Sequence, residues 1–163
     1  MRVRFKLAVL AVGVLVVLGL TPQAWAVEPL KVSGTRSGNQ LLVDCGTFEI
    51  WDEFELNFEG TLHFDRLGNV VRIVEHIWGV DRLYNPENGA SISGSFNQGE
   101  IVQPLEGEVA VNGIIFRISV PGAGAVFLDL GRFVFTFDGG LVFAAGQHDF
   151  FAGDIAGLCD ALA

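Results

Sequence analysis

Three histidines and a run of carboxylates are the residues of this chain best suited to moving a proton or holding an ion. General-base chemistry would join His76 to Glu75, or His148 to Asp149. Neighbours on a strand point to opposite faces, so Glu75 and His76 do not share a pocket. His148, following Gly146-Gln147, has the composition of an exposed loop. His63 and His76 flank an Asp65-Arg66-Leu67-Gly68-Asn69 turn. A hairpin centred on Leu67 sets His63 opposite Val71 and His76 opposite Phe58, several rungs apart. They would not share a metal without a third element.

Carboxylates gather at Glu49, Asp52, Glu53, Glu55 and Glu59. A glycosidase-like pair needs two acids across a cleft, one held protonated by burial. Glu53, Glu55 and Glu59 instead alternate with Phe54, Leu56 and Phe58, which puts them on a solvated strand face. Asp81, Asn85, Glu87 and Asn88 offer oxygen ligands for calcium, but their spacing matches no EF-hand and suits turn chemistry. No Gly-x-Ser-x-Gly elbow occurs, and Ser91, Ser93 and Ser95 alternate as on a solvated strand face. No glycine-rich phosphate loop leads into a helix. The reading therefore assigns no catalytic residue, no metal site and no cofactor. Arg72, His76 and Arg132 remain as candidate ligand-binding residues. Arg72 and Arg132 have apolar neighbours at strand period (Val70 and Val74; Leu130 and Val134). If either points inward it needs a buried acid or a ligand carboxylate. If outward, it is ordinary surface.

The elements that would position these groups are strands. From Phe54 to Phe64 the even positions are Phe, Leu, Phe, Gly, Leu and Phe, against a polar odd set. Residues 70–80 answer as a second long strand across the Asp65–Asn69 turn. Asn85-Pro86-Glu87-Asn88-Gly89 turns into 90–97. Asn112-Gly113 predicts a tight hairpin between 101–111 and 114–120. Pro121-Gly122-Ala123-Gly124 breaks the chain, and Asp138-Gly139-Gly140 joins 125–137 to 141–145. Phe127, Phe133, Phe135 and Phe137 share one face. Ile155, Leu158 and Leu162 have helical spacing, so residues 153–163 hold a short helix carrying Cys159. The expectation is an all-β, antiparallel up-and-down β-barrel of about eight strands with a short C-terminal helix. A two-sheet β-sandwich is the alternative.

Residues 1–26 read as a secretory signal peptide. Arg2, Arg4 and Lys6 precede a 14-residue apolar run, Leu7–Leu20, and Ala24-Trp25-Ala26 fits the cleavage site. The run is short of the ~20 residues a transmembrane helix needs. Residues 27–40 read as a flexible leader and 41–163 as one domain. From Val27 onward seven Lys/Arg face 19 Asp/Glu, a net charge of −12. A field of that sign disfavours nucleic acid and anionic membrane surfaces. Cys45 and Cys159, an even pair in an exported chain, are expected to form a disulfide.

Asp44-Cys45, Val71–His76, the Asn85–Gly89 turn, Val120-Pro121-Gly122, Leu128–Arg132, Gly146–Asp149 and Leu158-Cys159 together resemble a family of small secreted bacterial proteins of unassigned function. That resemblance implies export but no activity. The strand count alone is similar to lipocalin-like or dirigent-like barrels, and the lipocalin Gly-x-Trp signature is missing: Gly46-Thr47-Phe48 stands where it would be sought. The expected role is non-catalytic binding of a small apolar or amphipathic ligand. The alternatives are an extracellular protein–protein interaction module, or a barrel enzyme of cyclase or isomerase type using Glu75, His76 or Arg132.

Overall fold

The computed structural model describes residues 27–120, 124–149 and 155–163. The expected signal peptide and the break at Pro121–Ala123 lie outside the described residues. Seven strands follow one another: β1 (Leu30–Asp44), β2 (Glu49–Phe64), β3 (Val70–Tyr84), β4 (Ser91–Gln103), β5 (Glu108–Val120), β6 (Gly124–Thr136) and β7 (Leu141–His148). A short helix, α1 (Ala156–Leu162), comes last. Each strand pairs antiparallel with the next, in one sheet of order β1 to β7. The antiparallel all-β expectation holds. The sheet does not close on itself, however, so β1 and β7 are its edges and the arrangement fits the sandwich alternative rather than a sealed barrel.

Three local readings change. Residues 30–40, read from their Gly, Ser and Pro content as part of a flexible leader (27–40), lie within β1, paired with β2 from Leu30↔Leu62 onward. Their glycines are packed against rings rather than loose: a Cβ on Gly38 would stand 2.6 Å from the Phe54 ring, and one on Gly34 3.0 Å from Phe58. Asn112-Gly113 is not a hairpin turn but the interior of β5. The turn lies earlier, where Glu106 and Gly107 donate backbone hydrogen bonds to the Gln103 carbonyl. Finally, a bulge between His63 and Phe64 shifts the β2–β3 register by one residue. His63 therefore faces Arg72, and His76 faces Glu59 rather than Phe58.

Gly113 has a different role from the one its dipeptide suggests. It pairs with Gly131, which pairs with Gly146, and all three have left-handed φ (123°, 141° and 123°). A Cβ on Gly131 would lie 2.0 Å from the Ala145 carbonyl oxygen, so only glycine fits. This line crosses β5, β6 and β7 at the level of further register shifts at Gly94/Asn97 and Ile114/Phe116. Bulges and glycines at one level let a sheet bend sharply.

The core is divided accordingly. On one side of the line Val109, Val111, Phe133 and Phe135 pack together. On the other, Val43, Ile50, Leu83, Ile92, Phe116, Ile118 and Phe127 gather around Leu158 and Leu162 of α1. The helix is amphipathic over seven residues, too short to persist in water alone. Tertiary contacts hold it. Cys159 is bonded to Cys45, with Cα atoms 5.9 Å apart and a sequence separation of 114. The side-chain amides of Asn85 and Asn88 donate to the Leu162 carbonyl at 2.9 and 3.1 Å, satisfying an acceptor the helix end leaves open. No helix among the described residues is long and apolar enough to cross a membrane.

Candidate functional site

Register and burial assign each strand an inner and an outer face. Directly paired residues share a face, so Gln40, Asp52, Leu83 and Ile92 form one inner row, and Gly38, Phe54, Asp81 and Gly94 the next. The outer face is polar: Glu53, Glu55 and Glu59 lie there as expected, and Glu53 meets Arg82 at 3.0 Å. Both side chains of that pair are about half exposed, so the ion pair contributes little. Arg72, His76 and Arg132 are exposed on this outer face. His76 stacks on Trp78 with ring centroids 4.8 Å apart, and its Nε2 meets Asn97 Oδ1 at 2.9 Å. Glu75 faces inward, so the suggested enzyme trio Glu75, His76 and Arg132 does not converge.

The other singled-out groups disperse too. Asn85 and Asn88 are engaged with α1 and with the backbone of their own turn. Asp81 is not in that turn; it sits within β3 on the inner face. His148, read as a loop residue, ends β7 opposite Asp129, with its ring edge-on to Phe133 at 5.6 Å. Two shallow depressions, of about 500 and 680 Å³, are lined mainly by outer-face residues such as Glu55, Asn57, Trp78 and Asn97, and Ser37, Glu53, Arg82 and Ser93. Neither is a void enclosed by the sheet.

The feature that sequence reasoning missed is the chemistry of the inner face over β1–β4. Phe54, Leu56, Phe58, Ile77 and Phe96 are only half-buried there and belong to neither packed cluster. Interleaved with them are Arg36, Asp52, Glu75, Asp81, Gln98 and Glu100. Ring-over-glycine packing keeps this surface low: Phe54 covers Gly38, and a Cβ on Gly79 would meet Phe96 at 2.7 Å. Glu75 and Glu100 are direct cross-strand partners. Burial pushes both above the ordinary carboxylate range, and Arg36 moderates each through space. Gln98 Nε2 donates to Glu100 at 2.7 Å. The Arg36 guanidinium lies 4.6 Å over the Phe58 ring, a cation–π contact.

Toward α1, Asp52 and Asp81 are diagonal neighbours, exposed by only 6% and 5%. Burial raises the Asp52 carboxyl, and a 3.1 Å hydrogen bond from Gln40 offsets part of that. Asp81 is pushed up to about 7, first by burial and then by the charge of Asp52. Asp52 Oδ1, Asp81 Oδ2 and Gln98 Oε1 are buried acceptors without a hydrogen-bond partner among the described residues. Such orphans are uncommon in folded proteins and each costs about 1–3 kcal/mol. For Asp52 a signal existed in the sequence: it occupies the apolar parity of its strand, between Ile50 and Phe54.

An open antiparallel sheet with a disulfide-pinned helix and an amphipathic inner face is the class of protein these features define. No family model, no curated protein and no solved structure matches this chain.

Proposed function

We propose that this is an exported, non-catalytic binding protein that holds a small amphipathic molecule along the inner face of β1–β4. Its leader, residues 1–26, would be removed before Val27. The Cys45–Cys159 disulfide is compatible with an extracellular or periplasmic setting. One observation carries the reading. Five large apolar side chains stay half-open beside buried polar groups whose hydrogen bonding is incomplete, on a sheet that buries Phe116, Phe127, Phe133 and Phe135 in its packed clusters. A surface with apolar walls and a few convergent polar groups is what a ligand site requires.

A second reading, a protein–protein module, is favoured by the edge strand β7. Leu141, Val142 and Phe143 are 47%, 57% and 48% exposed there, and Leu130, opposite Gln147 further along β7, is exposed as well. An apolar strand edge offers both backbone hydrogen bonds and side chains to a partner. Native mass spectrometry of the protein exported by its own host separates the two readings. A co-purifying small mass supports the ligand-binding role. A bare chain held as a dimer, or bound to another protein, overturns it in favour of the module.

A further inference from the structure

We propose that the inner face selects a cationic amphiphile, an organic ammonium whose head is bound by Asp52 and Asp81 and whose apolar body lies along Phe54, Leu56 and Phe96. This rests on the binding role argued above and names the chemistry of the occupant. Asp52 and Asp81 mark the point where the inner face changes character. Beyond them, toward α1, Ile50, Leu83 and Ile92 are sealed into the packed cluster. On the other side, Phe54, Leu56 and Phe96 are half-open. The pair therefore lies at the closed end of an apolar trough.

Gln40 donates to Asp52 Oδ2, but among the described residues no donor reaches the second oxygen of Asp52 or Oδ2 of Asp81. Asp52 Oδ1 and Asp81 Oδ2 are buried and unpartnered, and Gln98 Oε1, about 13 Å further along at ~3.3 Å per residue, is a third such acceptor. A carboxylate or phosphate head would add more acceptors and like charge. A hydroxyl supplies a single proton. An ammonium brings three N–H donors and a charge opposite to the acids, and charge-assisted hydrogen bonds of that kind are the strong ones. A hard metal ion fits poorly, because it wants about six oxygens. Here Asp81 has Phe54 and Gly94 beside it, and no group of three metal-binding side chains exists among the described residues.

The charges around Asp81 are few. Asp52 faces it from β2. Its β4 partner is uncharged Gly94, followed on β5 by Ile118. Arg36, Glu75 and Glu100 lie further along the inner face, and Asp129 and His148 on β6 and β7. Arg36 sits among Glu75 and Glu100, and among the described residues no cation stands at the Asp52–Asp81 end.

The test uses three probes with one body and different heads: octylamine, octanol and octanoate, titrated calorimetrically into the disulfide-intact protein. At pH 8 octylamine is expected to bind at least tenfold more tightly than the other two. The margin should shrink at pH 6, where Asp81 holds its proton while the amine stays charged. Asp81→Asn and, separately, Asp52→Asn should reduce the amine to the affinity of octanol, with circular dichroism confirming that each variant is folded. Equal or tighter binding of octanol or octanoate would overturn the cationic assignment and leave the trough intact. Binding of none of the three would overturn the trough as well. An amine preference that survives in both folded variants would remove Asp52 and Asp81 from the site.

Discussion

Asp81 keeps its proton to a higher pH than an ordinary aspartate does. Its carboxyl titrates near 7 in the folded chain, against an ordinary 3.8. Between those values the unfolded chain releases the proton and the folded chain keeps it, so stability falls as pH rises from about 4 to 7 and levels off above. Asp52, Glu75 and Glu100 are raised by burial as well and act in the same direction. Urea midpoints measured from pH 5 to pH 8 should therefore decline for the wild type. Asp81→Asn, which removes the buried charge but keeps the shape, should decline less steeply and be more stable at pH 8 by about 1–3 kcal/mol. An unchanged slope would mean that Asp81 is solvated. At this scale the sequence was half legible. An acid at apolar parity can be read directly, as at Asp52. Arg72 stood in β3, which has β-branched residues on both parities (Val70 and Val74, but also Val71 and Ile73), so its face was ambiguous until pairing resolved it.

Among the elements, the glycine line decides the shape. Gly131 combines a φ of 141° with backbone packed where a side chain would begin. Gly131→Ala should cost about 3 kcal/mol or more in denaturant unfolding, whereas Ala at exposed Gly46, with nothing within 4 Å but a φ of 87°, should cost about 1 kcal/mol. Comparable losses at the two sites would remove the close-packed bend. The Asn112-Gly113 pair shows why such a device is hard to read. The dipeptide is the signature of a hairpin, and its conformation is indeed unusual, but the chain continues straight on as β5 because Gly113 has Gly131 as its partner. Long-range pairing overrode a local preference.

For the whole molecule, the Cys45–Cys159 bond ties the end of β1 to α1, whose Leu158 and Leu162 pack against buried residues of β1 to β6. Closing a loop of this length stabilises by about 4–5 kcal/mol on the chain-entropy model. The double variant Cys45→Ala/Cys159→Ala should lose roughly 3–5 kcal/mol in urea unfolding, and hydrogen exchange should show α1 losing protection before β2 and β3. Uniform loss of protection would mean that the helix is integral to the sheet's stability rather than a plug docked on it. Properties of short windows, apolar–polar alternation, turn residues and helical spacing, were enough to determine antiparallel strands, most of their turns and the terminal helix, and the even pair of cysteines in a chain read as exported pointed to their bond. The inward face of β3, the pairing of β1, the open edges and the meeting of Asp52 with Asp81 belonged to the tertiary structure alone. A period of two makes one bulge, such as that at His63/Phe64, invert every side chain beyond it, and only contacts between distant strands settle where the bulge falls.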